Sequence, residues 1–259
     1  MRLACTDEGP GPAVVLLHGF PLSRAMWEPQ VSGVGSIYRI IAPDLRGHGD
    51  SPAPEGVYTM DEMADDVLEL LRTLHLDGPV VLGGLSMGGY VALSMVARYP
   101  DRIRALMLMD TRAGADTPDA AKKREEMAQA VIAAGNSGPV VEAMMPRLFA
   151  AQTLKDHPER VEPLRTVMEQ NTARGIAGAL RGMAVRPDRR GELAAIRVPT
   201  LVLVGEEDVL TPPSEAQALA DAIAGARLEV VPEAGHLAPY ENFAVANAVI
   251  LRFLEGLDR

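Results

Sequence analysis

Val80-Val81-Leu82-Gly83-Gly84-Leu85-Ser86-Met87-Gly88-Gly89-Tyr90-Val91-Ala92-Leu93 is the stretch that decides how this chain reads. Val80-Val81-Leu82 is a short apolar run of the kind that forms a buried strand, and the residues from Met87 onward predict the start of a helix. A serine pinched between the two sits on a sharp, strained turn that holds its hydroxyl above the sheet edge. Gly84 and Gly88 stand two residues before and two after Ser86, where a Cβ would clash with the neighbouring strand and helix. This strand–turn–helix setting is a nucleophile elbow, which presents a serine for acyl transfer. The competing reading is an ordinary structural turn.

Composition narrows the class. The chain has 259 residues, 47% of them hydrophobic, enough for one substantial core and an insertion but not for two independent enzymatic domains. Only 4% are aromatic, so Ala, Val, Leu and Met must fill most of that core. A formal net charge of −10 argues against nucleic-acid or anionic-membrane partners. It leaves the substrate open, because the field inside a pocket can oppose that of the whole molecule. Cys5 is the only cysteine, which excludes an intrachain disulfide and a thiolate metal cluster. No stretch reaches the ~18 continuous apolar residues of a membrane span. The N-terminal residues Met1 to Asp7 run straight into folded-looking sequence, and the expected location is cytoplasmic. Lysine occurs only at Lys122, Lys123 and Lys155, with arginine elsewhere, and is read as compositional background.

Outward from the serine, apolar runs alternate with helical spacing. Val14 to Leu17, Tyr38 to Ala42, Val80 to Gly83, Ile103 to Met109, Pro199 to Val204 and Leu228 to Val231 read as strands. Thr59 to Leu74, Met87 to about Arg98, Ser214 to Ile223 and Phe243 to Leu257 read as helices, with Asp61 and Glu62 suited to a first helical turn. The alternation implies an α/β fold: a mostly parallel central sheet with helices on both faces. Residues around Arg2 to Thr6 are expected to add an antiparallel edge. From about Arg112 to Arg190 the rhythm breaks into helical patterns at Lys122–Ala134, Pro139–Leu148, His157–Gln170 and near Thr172–Gly182. That segment is read as a helical cap over the carboxyl edge of the sheet, the alternative being packing on a sheet flank. The expected division is a core in two parts, 1–111 and 191–259, with the cap at 112–190.

Active sites in such sheets form beyond the carboxyl ends of strands, where each of the following residues falls. A serine hydroxyl needs a base to take its proton, and the base needs a partner to fix its tautomer. His236, after the strand end and turn Val230-Val231-Pro232-Glu233-Ala234-Gly235, is the best base of the five histidines. His75 and His157 read as solvent-facing. His18 is expected to shape the loop after the first central strand, and His48 to stabilise a turn, with a catalytic role as its alternative. Asp208, after Gly205-Glu206-Glu207, is the best orienting acid; Glu206, Glu207 and Asp110 compete. The oxyanion donors are expected to be the backbone amides of Met87, at a helix start where an N–H lacks an intrahelical partner, and of Phe20, which Gly19 lets fold close to Ser86.

The strings Leu17-His18-Gly19-Phe20-Pro21, Pro43-Asp44-Leu45-Arg46-Gly47-His48-Gly49-Asp50-Ser51, Gly84-Leu85-Ser86-Met87-Gly88-Gly89, Gly205-Glu206-Glu207-Asp208 and Gly235-His236 resemble, in order, those of the α/β-hydrolase superfamily. The resemblance implies Ser86, Asp208 and His236 as the catalytic triad and the Phe20 and Met87 amides as the oxyanion hole. Within the superfamily, His18-Gly19-Phe20-Pro21-Leu22-Ser23, with Met26-Trp27 nearby and a compact cap, is similar to small carboxylesterases and 3-oxoadipate enol-lactone hydrolases. Phe243 departs from the pattern, standing where proline is common. Serine at position 86 departs from the haloalkane dehalogenases and epoxide hydrolases, whose nucleophile is aspartate.

The expected activity is hydrolysis of small to medium carboxylic esters through an acyl-enzyme, with no cofactor or metal. Rival readings are an enol-lactone type lactonase, a carbon–carbon bond hydrolase or perhydrolase, and a non-catalytic ligand-binding protein. Trp27, Met144, Leu148, Phe149, Val167 and Met168 are the expected substrate contacts. The expected partners are a small ester or lactone and, at most, a second copy of the chain, as monomer or homodimer.

Overall fold

The computed structural model describes residues 1–257; Asp258 and Arg259, which the sequence assigns to the second core segment, lie outside the described residues. The chain opens with strands β1 (Cys5–Glu8) and β2 (Ala13–Leu17), helix α1 (Glu28–Val34) and strand β3 (Arg39–Pro43). Helix α2 (Met60–Thr73), strand β4 (Val80–Leu85), helix α3 (Met87–Arg98) and strand β5 (Ile103–Met109) follow. Five helices come next: α4 (Pro118–Ala134), α5 (Gly138–Leu148), α6 (Ala151–Asp156), α7 (Pro158–Glu169) and α8 (Ala173–Ala184). The chain then returns to the sheet through β6 (Thr200–Gly205), α9 (Pro213–Ala222) and β7 (Arg227–Val231), and ends with α10 (Ala238–Glu241) and α11 (Phe243–Gly256).

The seven strands form one sheet in the order β1-β3-β2-β4-β5-β6-β7. Only β1 is antiparallel, paired with β3 from Cys5 opposite Pro43 to Glu8 opposite Ile40. The expected antiparallel edge is therefore present, a few residues later than Arg2–Thr6. The central strands are apolar without alternation because helices cover both faces; β4 is buried throughout, as is β6. Two apolar clusters divide the core by sheet face: Val15, Leu17, Leu82, Leu106 and Val202 pack with α2 and α3 on one side, and Val14, Leu16, Val81, Met107 and Leu203 pack with α1 and α11 on the other. The start of α2 is fixed by a capping box, in which Thr59 Oγ1 accepts from the Glu62 N–H at 3.2 Å and Glu62 Oε2 accepts from the Thr59 N–H at 3.1 Å.

Helices α4 to α8 stand between β5 and β6 as an insertion, α4 packing along α8. Polar bonds fasten them to the core. Asn171 donates to the Pro21 carbonyl at 2.8 Å and accepts from the Gly49 N–H at 2.9 Å. Glu241, in α10, accepts from the Ala150 N–H at 2.8 Å with one oxygen and from the Gly235 N–H at 2.8 Å with the other. The insertion is thus tied both to the loop after β2 and to the loop after β7. Helices α1, α6 and α10, of seven, six and four residues, were not apparent from periodicity, being too short to display it. No helix among the described residues is long and apolar enough to cross a membrane.

Candidate active site

Ser86 occupies a left-handed backbone conformation, φ 53° and ψ −112°, directly between β4 and α3. That conformation is disfavoured for a residue with a Cβ and persists only where the surroundings enforce it. They do so by close approach. A Cβ on Gly84 would lie 2.2 Å from the Gly88 carbonyl oxygen, and one on Gly88 would lie 2.2 Å from the Leu17 carbonyl oxygen. The Ser86 N–H donates to the Met109 carbonyl at 2.9 Å, extending the β4–β5 ladder to the serine, and Thr111 Oγ1 donates to the Ser86 carbonyl at 2.8 Å. The turn is held from both sides while the hydroxyl stays outside the ladder.

His236, on the loop after β7, accepts the Ser86 hydroxyl through Nε2 at 2.8 Å and donates from Nδ1 to Asp208 Oδ2 at 2.8 Å. Asp208 follows β6, so the three groups leave the carboxyl ends of β4, β6 and β7 and converge over one edge of the sheet. The Asp208 carboxylate is itself positioned: Oδ1 accepts from the Leu210 and Thr211 N–H groups at 2.8 and 3.0 Å, and Oδ2 accepts from Thr211 Oγ1 at 2.7 Å. Burial opposes its charge, but the bonds from His236 and Thr211 outweigh burial and hold this carboxyl below the usual aspartate value. An ionised Asp208 fixes the Nδ1–H tautomer of His236, leaving Nε2 free to accept a proton.

The competing acids sit elsewhere. Glu206 and Glu207 are exposed. Asp110 is buried at the end of β5 and accepts from the Gly205 N–H at 2.8 Å, making no hydrogen bond to His236. Burial, with the neighbouring Asp208 charge, pushes its carboxyl well above the ordinary value. His18 and His48 are buried beside each other, ring centroids 5.1 Å apart. The Leu45 N–H donates to His18 Nε2 at 2.9 Å, which places the proton on Nδ1, and Nδ1 donates to the Gly19 carbonyl at 2.9 Å. Burial lowers His18 to about 4 and His48, which also feels His18, to about 3, so both rings are neutral supports at neutral pH. His75 is exposed, and His157 pairs with Glu159 on the insertion.

Of the two expected oxyanion donors, Phe20 lines the same cavity as Ser86, and Met87 follows Ser86 directly. Gly19 permits the close approach: a Cβ there would lie 2.7 Å from Leu85 Cδ2 and 3.4 Å from Ser86 Cβ. The Phe20 N–H donates to no group among the described residues. Met87 is the first residue of α3, where helix geometry leaves the N–H without an intrahelical acceptor.

Ser86 and His236 open into a cavity of about 330 Å³ lined also by Phe20, Tyr90, Met144, Met183, Leu210 and Thr211. Of the six expected substrate contacts only Met144 reaches it. Trp27, Leu148 and Met168 are fully buried and Phe149 nearly so, all packed in the second apolar cluster with Leu22 and Met26. Val167 lines a separate open groove of about 670 Å³. Leu148 on α5 and Leu164 and Met168 on α7 turn into the core rather than into the cavity. Sequence reasoning also missed the polar wall of the cavity, Arg112, Asp116, Lys123, Arg124 and Arg147. Arg112 lies three residues past the end of β5, a position that could have flagged it. No group of three or more His, Cys, Asp or Glu side chains among the described residues is placed to hold a metal ion.

A doubly wound sheet, a strained serine at the β4–α3 turn and a serine–histidine–aspartate relay define a serine hydrolase of the esterase and lactonase type. The chain belongs to the α/β-hydrolase superfamily: the family model for the alpha/beta hydrolase fold matches residues 12–243. A 3-oxoadipate enol-lactonase of Acinetobacter baylyi is 32% identical over 98% of this chain and 94% of its own. A thermophilic esterase from Thermogutta terrifontis, solved with malate bound, superposes with a TM-score of 0.96 at 44% identity, over 98% of this chain and 93% of that one. The enol-lactonase of Burkholderia xenovorans superposes with a TM-score of 0.90 at 31% identity, over 98% and 96%.

Proposed function

We propose that the protein is a carboxylesterase-like serine hydrolase that cleaves small to medium carboxylic esters through an acyl-enzyme. The observation that carries this reading is the unbroken relay from Ser86 Oγ to His236 to Asp208, two contacts of 2.8 Å each, starting from a serine at φ 53°. In the proposed cycle Ser86 Oγ attacks the ester carbonyl carbon while His236 Nε2 takes its proton. The resulting oxyanion is held by the Phe20 and Met87 N–H groups. Collapse of the tetrahedral adduct breaks the bond to the alkoxide, which leaves with the proton from His236. Water then gives its proton to His236 and attacks the acyl carbon, releasing the acid and restoring the Ser86 hydroxyl. Asp208 stays ionised throughout and stabilises the imidazolium.

A cavity of about 330 Å³ suits short acyl and alcohol parts better than the chains of a triglyceride. Residues 112–190 act as the cap that walls this space, and a cytoplasmic setting accords with the lone Cys5. A lactonase is the second reading, favoured by the enol-lactonase relatives: ring opening uses the same attack, with the alcohol retained on the product. The test is a panel of aryl esters and simple lactones at matched concentration, run with the native chain and with Ser86→Ala. Turnover of short esters, lost in Ser86→Ala, supports the ester reading; turnover confined to lactones supports the second; turnover of neither, or activity surviving in Ser86→Ala, sinks both.

A further inference from the structure

Four of the side chains that line the Ser86 cavity are basic, Arg112, Lys123, Arg124 and Arg147, against one acid, Asp116. This reverses the sign of the whole molecule, which carries 35 acidic against 25 basic residues. The basic groups come from three places, the segment after β5, α4 and α5, so no single helix face accounts for their convergence. The lone acid is already served. Arg124 Nε lies 2.5 Å from Asp116, Arg186 Nη1 lies 2.8 Å from it behind the cavity wall, and Arg112 Nη2 lies 4.0 Å away. Three guanidinium groups thus surround one carboxylate whose side chain is out of water.

The remaining cations are in excess. Lys123 and Arg147 are exposed and have no acidic partner within 4.0 Å among the described residues. Arg112, which lines the same wall, also faces Tyr90 and Glu215. Concave walls of low dielectric concentrate the field of such charges at the site they line.

Building on the hydrolase reading above, we propose that this wall selects substrates by charge: the ester or lactone carries a carboxylate, held by Lys123 and Arg147 at the mouth and Arg112 deeper in. The carboxylate forms no bond and transfers no proton. It orients the scissile carbonyl toward Ser86 and compensates the repulsion an anion meets from a molecule of net charge −10.

The experiment compares kcat/KM for charged esters and neutral isosteres. One arm puts the carboxylate on the acyl side, 4-nitrophenyl hydrogen adipate against 4-nitrophenyl hexanoate. The other puts it on the alcohol side, 3-carboxyphenyl hexanoate against 3-carbamoylphenyl hexanoate. The native chain is expected to prefer the charged ester about tenfold in one arm at low salt, the strength of two exposed ion pairs. That ratio should fall toward one in the double variant Lys123→Gln, Arg147→Gln and in 1 M salt, where the screening length drops to about 3 Å. The charge-reversed double variant Lys123→Glu, Arg147→Glu should prefer the neutral ester. A ratio equal in the native and variant chains in both arms, or a native preference for the neutral esters in both, overturns the proposal. Absence of turnover on every ester here and on the simple lactones of the earlier panel would instead strike the hydrolase reading, so the two failures are distinguishable.

Discussion

Replacing His48 with phenylalanine should change how the fold responds to acid. His48 is buried against His18 and Phe20, the latter at 5.9 Å between ring centroids, and its Nε2 has no hydrogen-bond partner. A phenyl ring occupies the same slot at the cost of one bond, that from Nδ1 to the Arg46 carbonyl at 3.1 Å. Because the folded ring is held near 3 while the unfolded one titrates near 6.5, the unfolded chain binds a proton that the folded chain refuses in the window between. The stability due to a neutral His48 is therefore complete above about pH 6.5 and is lost as pH falls toward 3. From pH 7.5 to pH 5 this amounts to about 2 kcal/mol at ~1.36 kcal/mol per pH unit, and any folded value below ~4 gives nearly the same figure. Carboxylates contribute in the same range, but they are common to both chains and cancel in the difference. Urea unfolding of the native chain and His48→Phe at the two pH values measures it directly. The native chain should lose about 2 kcal/mol more than the variant. An equal loss in the two chains would refute the assignment of His48 as a neutral support and reopen its role as a proton-transfer group.

Asp208→Asn should reduce kcat by about 10⁴, by favouring the wrong His236 tautomer, whereas Asp110→Asn should keep turnover within a few fold. The reverse ranking in steady-state ester hydrolysis would move the orienting acid to β5. Asp110→Asn should also gain stability relative to the native chain as pH rises from about 4, because the raised folded value of Asp110 makes its ionisation a cost above the unfolded value. Urea unfolding at pH 4 and pH 8 checks it, and an unchanged difference would count against a buried neutral Asp110. Gly88→Ala drives a methyl to 2.2 Å from the Leu17 carbonyl, a backbone contact that no rotamer relieves. Overpacking of ~1–3 kcal/mol should lower Tm by about 2–12 °C and displace Ser86 enough to abolish turnover; a native Tm with native activity would show the elbow less tightly determined than its geometry implies.

The sheet and the elements around the serine were legible because each is written in contiguous residues. β5 falls where Ile103 to Met109 predicted it, α3 starts at Met87, and the turn glycines clash as their spacing required. Asp208 and His236 could be ranked because each follows an apolar run at a strand end. The cavity wall was not legible, since helical spacing shows that α5 and α7 have apolar faces but not what those faces meet. Leu148 and Met168 meet the core, while Met144 and Arg147, on the same α5, meet the cavity. Lys123 looked like compositional background, one of three lysines in an arginine-rich chain, and only the approach of α4 and α5 to the β5 end gives it a neighbourhood. Glu241 was passed over for the same reason: its partners Ala150 and Gly235 come from two distant segments.

The most direct test of the account is covalent labelling by an activated organophosphonate, followed by intact mass and peptide mapping. One phosphonyl group per chain, on Ser86 and absent from Ser86→Ala, is the result expected of a hydroxyl that His236 and Asp208 activate. An unmodified native chain, or a label that persists in Ser86→Ala, would contradict it.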